Sequence, residues 1–112
     1  YFKNIDNDFY KLINEKKYQY NTYHTFVIQT PRREKLIKFL KEHKVYTAIH
    51  YPIPIHLQPA SKYLNYKKGS FPQTESQSKK ILTIPIHQNL TQSNLKKIIK
   101  LLNDFAKKNK WL

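Results

Sequence analysis

At 112 residues without a cysteine, the chain holds one domain at most and has no disulfide, thiol nucleophile or thiolate metal site. Its formal net charge of +14 would suit a polyanion, but only Arg32 and Arg33 are arginine, so the balance reads as a generic lysine-rich surface rather than a nucleic-acid reader. No apolar run approaches the ~20 residues of a membrane span and no signal-peptide pattern opens the chain, so no membrane contact is expected and cytoplasm is the expected compartment.

The chain starts on Tyr1-Phe2-Lys3 and contains no methionine, which suggests a piece of something longer. Residues Tyr1 to Glu15 carry Phe9, Leu12 and Ile13 at helical spacing and predict a short helix or the tail of one. A polar, Tyr-rich connector from Lys16 to Thr22 leads to a predicted strand, Tyr23 to Gln29. His24 falls inside that strand, where a core or interface role suits it.

Thr30-Pro31 reads as a helix start, a threonine N-cap with proline at the first helical position. Leu36, Ile37 and Leu40 mark a buried face with Phe39 beside it, and Lys35, Lys38 and Lys41 face water, so a helix is predicted from Pro31 to about His43. Its end lacks the glycine that commonly closes a helix; Lys44 stands there instead. Val45 to Tyr51 predicts a short strand.

The run His50-Tyr51-Pro52-Ile53-Pro54-Ile55-His56-Leu57-Gln58-Pro59 follows. Its three prolines fix φ and remove N–H donors, which excludes a helix and a central strand. A stiff, extended loop remains, able to aim its imidazoles with little entropy left to lose on binding.

Beyond it, Gln58 to Tyr66 predicts a short helix after Pro59, and Lys67-Lys68-Gly69-Ser70 a turn carrying the only glycine. Thr74 to Ile81 reads as a two-turn helix and Leu82 to Ile86 as a strand. Thr91 caps a last helix whose Leu95, Ile98, Ile99, Leu102 and Phe105 form an amphipathic stripe. Lys107 to Lys110 is a basic tail that complements the helix dipole. The expected fold is α+β: a small, mostly antiparallel sheet of about three strands with helices packed on one face.

Candidate site residues concentrate in the proline loop. His50 and His56 suit polar contact to a ligand or a structural role; with no third ligand nearby in sequence, no metal site is expected. Tyr51 and Gln58 offer donors to hydroxyls or phosphates, or to the loop's own backbone. Glu75 is a general base, a first-turn residue favoured by the helix dipole, or the partner that orients a loop histidine. His87 ends a strand, facing solvent or supporting the site. Ser76-Gln77-Ser78-Lys79 fits a serine-x-x-lysine spacing but lies on an amphipathic helix, where so lysine-rich a chain produces such matches by chance.

In order, Tyr23-His24-Thr25-Phe26, Arg33, Ala48-Ile49-His50-Tyr51-Pro52-x-Pro54-x-His56-x-Gln58-Pro59, Phe71-Pro72-x-Thr74-Glu75 and Leu82-Thr83-Ile84-Pro85-Ile86-His87 resemble the C-terminal small domain of the DegT/DnrJ/EryC1/StrS sugar aminotransferases. The resemblance covers roughly residues 18 to 105. It implies a single domain, 1–112, of a longer dimeric enzyme dependent on pyridoxal phosphate. Such enzymes move an amino group onto a keto-sugar attached to a nucleoside diphosphate. By the resemblance, His50, Tyr51, His56 and Gln58 contact the nucleotide-sugar, with His24, Glu75 and His87 in support. The cofactor's lysine, acid and phosphate cradle belong to an N-terminal large domain absent here. The fragment is therefore expected to bind no cofactor and to be inactive alone. The rival readings are a stand-alone module that binds a nucleotide-sugar or a protein, and a basic nucleic-acid binder, which lacks the signatures of the common modules.

Overall fold

β2, Phe26–Gln29, is the middle strand of a three-stranded antiparallel sheet. Its β-branched and aromatic residues pair with β3, Ile81–Ile84, in the register Phe26↔Ile84 and Ile28↔Leu82. β1, Lys11–Leu12, adds the outer strand, with Leu12 opposite Ile28. The computed structural model describes Tyr1 and residues 3–110.

Alternation along the strands sorts the side chains. Phe26, Ile28, Leu82 and Ile84 are buried on one face; Val27, Gln29, Ile81 and Thr83 are half-buried on the other. Two helices supply the rest of the core. α1, Arg33–Glu42, contributes Leu36 and Leu40, and the last helix, Gln92–Asn109, contributes Ile98, Leu101, Leu102, Phe105 and Ala106. A short helix, Pro72–Ser78, precedes β3; it is α2 and the last helix is α3. Two 3₁₀ helices, Ile55–Leu57 and Pro59–Leu64, lie between α1 and α2, so the proline run is not extended throughout: it turns at Ile55, after Pro54. The architecture is the expected α+β class, a small antiparallel sheet with helices. Thr91 caps α3 as its sequence indicates, accepting from Asn94 N–H at 3.1 Å.

Three further local expectations are corrected, and α2 ends at Ser78 rather than Ile81. The N-terminal segment is not helical. The Asp6 carboxylate accepts from the N–H groups of Asp8 and Phe9, which folds the chain into a turn before β1 pairs with β2. Tyr10 is then fully buried, its hydroxyl donating to Leu102 O at 2.9 Å.

The segment from Val45 to Tyr51 is not a full strand either. Only Ala48 pairs, through a reciprocal couple of bonds with Thr83 at 3.1 and 2.8 Å. Val45 is held by the end of α1 and Pro52 has no N–H, so pairing is confined to the middle. The third strand of the sheet is therefore β1.

α1 starts at Arg33, not Pro31. Thr30 N–H bonds Lys80 O at 3.0 Å and so continues the β2–β3 ladder, while the Thr30 hydroxyl accepts from Arg32 N–H as a turn rather than a cap.

Candidate functional site

Past Ala48 the chain runs out over the sheet edge into the proline loop. Two anchors hold its beginning: the Ala48–Thr83 couple, and a 3.0 Å hydrogen bond between His50 Nδ1 and Thr83 Oγ1. Thr83 is on the sheet face opposite Leu82 and Ile84, so the loop starts on the side away from the buried face. His50 stays exposed, and Tyr51 is 73% exposed with its ring edge-on to His50. The Tyr51 hydroxyl has no hydrogen bond among the described residues.

The remainder of the loop is braced from within. Gln58 Nε2 donates to Ile53 O at 3.2 Å, and Leu57 and Gln58 N–H groups close the first 3₁₀ turn onto Pro54 and Ile55. Of the two roles open to Gln58, the amide nitrogen takes the backbone one. Ile53, Ile55 and Leu57 turn outward.

His56 goes the other way. It is only 8% exposed, its Nε2 lies 3.0 Å from Glu75 Oε1, and Phe71 meets its ring edge-on at 4.8 Å. The same carboxylate oxygen accepts from Gly69 N–H at 2.7 Å and Phe71 N–H at 3.4 Å. The His56 hydrogen bond, and then the two backbone donors, hold the Glu75 carboxyl below its ordinary range against the opposing effect of burial. A carboxylate only accepts, so His56 carries its proton on Nε2. Of the three readings left open for Glu75, two hold: it lies in the first turn of α2, and it pairs with a loop histidine.

The other two expected residues stand apart. His24 is exposed in the bend before β2, which begins at Phe26, so it is not a core residue. His87 is exposed, and its carbonyl accepts from Leu90 N–H in a turn. No hydrogen bond or ring contact joins either to the loop among the described residues.

Sequence reasoning missed three contributors. Thr83 is the hydroxyl that fixes His50, Gly69 supplies the shortest bond to Glu75, and Ser78 joins α2 to α1 by accepting on its carbonyl from Arg33. Gly69, at φ +94°, carried a signal as the only glycine in the chain. Thr83 and Ser78 carried none.

A cleft of about 630 Å³ lies beside the loop, bordered by His56, Gln58, Lys62, Tyr66 and Lys67 among others. A larger hollow of about 880 Å³ sits between the N-terminal segment and α2 and shares no residue with the loop. No group of three potential metal ligands exists among the described residues.

A family model described as the DegT/DnrJ/EryC1/StrS aminotransferase family matches residues 1–103. The chain is 33% identical over 87 residues to a pleiotropic regulatory protein of Geobacillus stearothermophilus, covering 78% of this chain and 23% of the relative. It is 29% identical over 106 residues to a dTDP-3-amino-3,6-dideoxy-alpha-D-galactopyranose transaminase of Aneurinibacillus thermoaerophilus, covering 95% and 29%. Among solved structures, DesV from S. venezuelae superposes with a TM-score of 0.83 at 28% identity, over 88% of this chain and 26% of that one. The chain thus spans about a quarter of the length of the proteins it matches.

Proposed function

This chain belongs to the DegT/DnrJ/EryC1/StrS aminotransferase family, and from that premise we propose that it is the C-terminal small domain of a pyridoxal-phosphate-dependent enzyme. The substrate class is a nucleotide-linked keto-sugar, and the product enters amino-sugar biosynthesis for surface polysaccharide. The transaminase named among its relatives supports the substrate class. The observation that carries the reading is the anchored loop from His50 to Gln58, which turns His50 and Tyr51 outward.

The cofactor needs a lysine to anchor it, an acid facing its ring nitrogen and a cradle for its phosphate. All the lysines of this chain are exposed, and Glu75, the acid beside the loop, is engaged by His56 and two backbone N–H groups. These residues do not fit the cofactor, so the chain's part is on the substrate side and a large domain supplies the chemistry.

Within that division of labour the loop binds and orients. With Nδ1 held by Thr83, the exposed His50 ring keeps Nε2 for a ligand oxygen, and the exposed Tyr51 ring stands edge-on beside it. Gln58 stiffens the loop, and the buried His56–Glu75 pair supports it from beneath. Exposed Ile53, Ile55 and Leu57, with Tyr63 and Tyr66 beyond them, form an apolar surface of the kind that other polypeptide covers. We assign that cover to the large domain and to the second subunit of a homodimer.

A chimera tests the reading. Residues 1–103 replace the matching segment of the Aneurinibacillus thermoaerophilus transaminase, and transamination of its nucleotide-sugar is assayed. The proposal expects turnover. A folded chimera that binds pyridoxal phosphate but shows no turnover contradicts it. The isolated chain, titrated with pyridoxal phosphate, is expected to show no Schiff-base absorbance.

A further inference from the structure

We propose that Glu75 is the positioning residue of the proline loop, a carboxylate clamp that sets where His50 and Tyr51 are presented. The proposal rests on the reading of that loop as ligand-facing and deepens it.

Three separate pieces of backbone converge on one oxygen atom. His56 brings the loop, Gly69 the turn from Lys67 to Ser70, and Phe71 the start of α2; all three donate to Glu75 Oε1. The side chains of His56 and Glu75 are 7% and 12% exposed, so water competes weakly for these bonds. Gly69 holds a positive φ that L side chains avoid, and in that conformation its N–H reaches the carboxylate at 2.7 Å. Phe71 closes the arrangement, packing edge-on against both His56 and Tyr66 at 4.8 and 4.9 Å.

The clamp is itself fixed to the core. Ser78 Oγ donates to Glu75 O at 2.9 Å, and Arg33 at the start of α1 donates to Ser78 O. A line of hydrogen bonds therefore runs from α1 through α2 and Glu75 to His56. Pro52 and Pro54 keep the stretch back to His50 stiff. The loop is held at both ends, by Thr83 at its start and by Glu75 at its turn.

The clamp is strongest with the charge on Glu75. The ionised carboxylate accepts three charge-assisted hydrogen bonds on Oε1, and protonation weakens them. Its folded carboxyl is held below the ordinary value of 4.5, so the clamp's contribution to stability is full above that value and is lost as pH falls through the lower folded value. Of the groups around it, His56 is the titratable side chain bonded to Glu75 directly. Lys62, Tyr66 and Lys67 border the cleft that His56 also lines.

The chain's single glycine supplies the probe, because Gly69 gives the only glycine amide in a ¹⁵N–¹H correlation spectrum. In an acid titration of the full chain, the Gly69 amide is expected to shift in one step with a midpoint below 4.5. The amides of Ile53, Ile55, His56 and Leu57 should move with the same midpoint. Glu75→Gln keeps an acceptor oxygen and so the neutral-pH fold, but removes that step from every one of these amides. His56→Phe keeps the contact with Phe71 and moves the Gly69 midpoint up toward 4.5, since the His56 bond is the largest cause of the lowering.

A Gly69 step without any response in the loop amides overturns the proposal, because the carboxylate then pins only the turn. So does a Gly69 amide that shows no step. If Glu75→Gln fails to fold, the wild-type titration and His56→Phe still decide. None of these outcomes bears on whether the chimera turns over, so the clamp and the functional reading fail separately.

Discussion

Lys44 ends α1 in a conformation that suits glycine, at φ 61°. Its N–H bonds Lys41 O at 2.9 Å and Val45 N–H bonds Leu40 O at 2.9 Å, with Val45 and Leu40 both buried, which is a Schellman closure. The sequence showed the missing glycine, and the structure shows that the lysine takes the strained backbone itself. Lys44→Gly is expected to stabilise the chain by about 0.5–1 kcal/mol, the relief of left-handed strain exceeding the entropy cost of glycine; denaturant midpoints measure it. Legibility differed from residue to residue for the same physical reason. Pairing between Glu75 and a loop histidine was foreseeable as chemistry, but which ring it would hold depended on how the 3₁₀ turn after Pro54 faces. The strand placement of His24 failed because composition alone does not tell a strand's start from the bend that precedes it.

Among the elements, α3 was plain from its stripe and its threonine cap, and both features persist in the structure. Thr91→Ala is expected to cost about 1 kcal/mol by loss of the bond to Asn94 N–H. Leu102→Ala is expected to cost about 2–5 kcal/mol, because Leu102 is fully buried in the core. Thermal or urea unfolding followed by circular dichroism separates the two, and equal costs would contradict the packing described. β2 and β3 were legible from their β-branched and aromatic runs. β1 was not: two residues give no periodicity, and the helical spacing of Phe9, Leu12 and Ile13 pointed elsewhere. Ile13 is 52% exposed, so that spacing does not mark one buried face. Val45 to Tyr51 has strand composition, but its ends are claimed by the helix closure and by proline.

At the scale of the whole molecule, the radius of gyration is 15.8 Å, against about 13 Å for a compact chain of this length. In the segment from Tyr51 to Phe71 only His56 and Ser61 are buried. Large apolar side chains are exposed along it, from Tyr51 at 73% and Ile55 at 71% to Tyr63 at 78%. Left uncovered, such a surface drives self-association. Light scattering of the isolated chain is expected to show mass rising with concentration, and Ile55→Asp to reduce the rise; a monomer at every concentration would contradict the need for a cover. In the sequence, the reading as a piece of something longer rested on the absence of methionine and on the family resemblance; the outward face of the loop was not legible there, because it depends on how the 3₁₀ turns lie. The central claim, that the loop faces the nucleotide-sugar, is tested most directly in the chimera by His50→Ala and Tyr51→Phe. Each is expected to raise the KM for the nucleotide-sugar about tenfold, the loss of one hydrogen bond of about 1.4 kcal/mol, with the KM for the amino donor unchanged. Unchanged values for both substrates in both variants would contradict it.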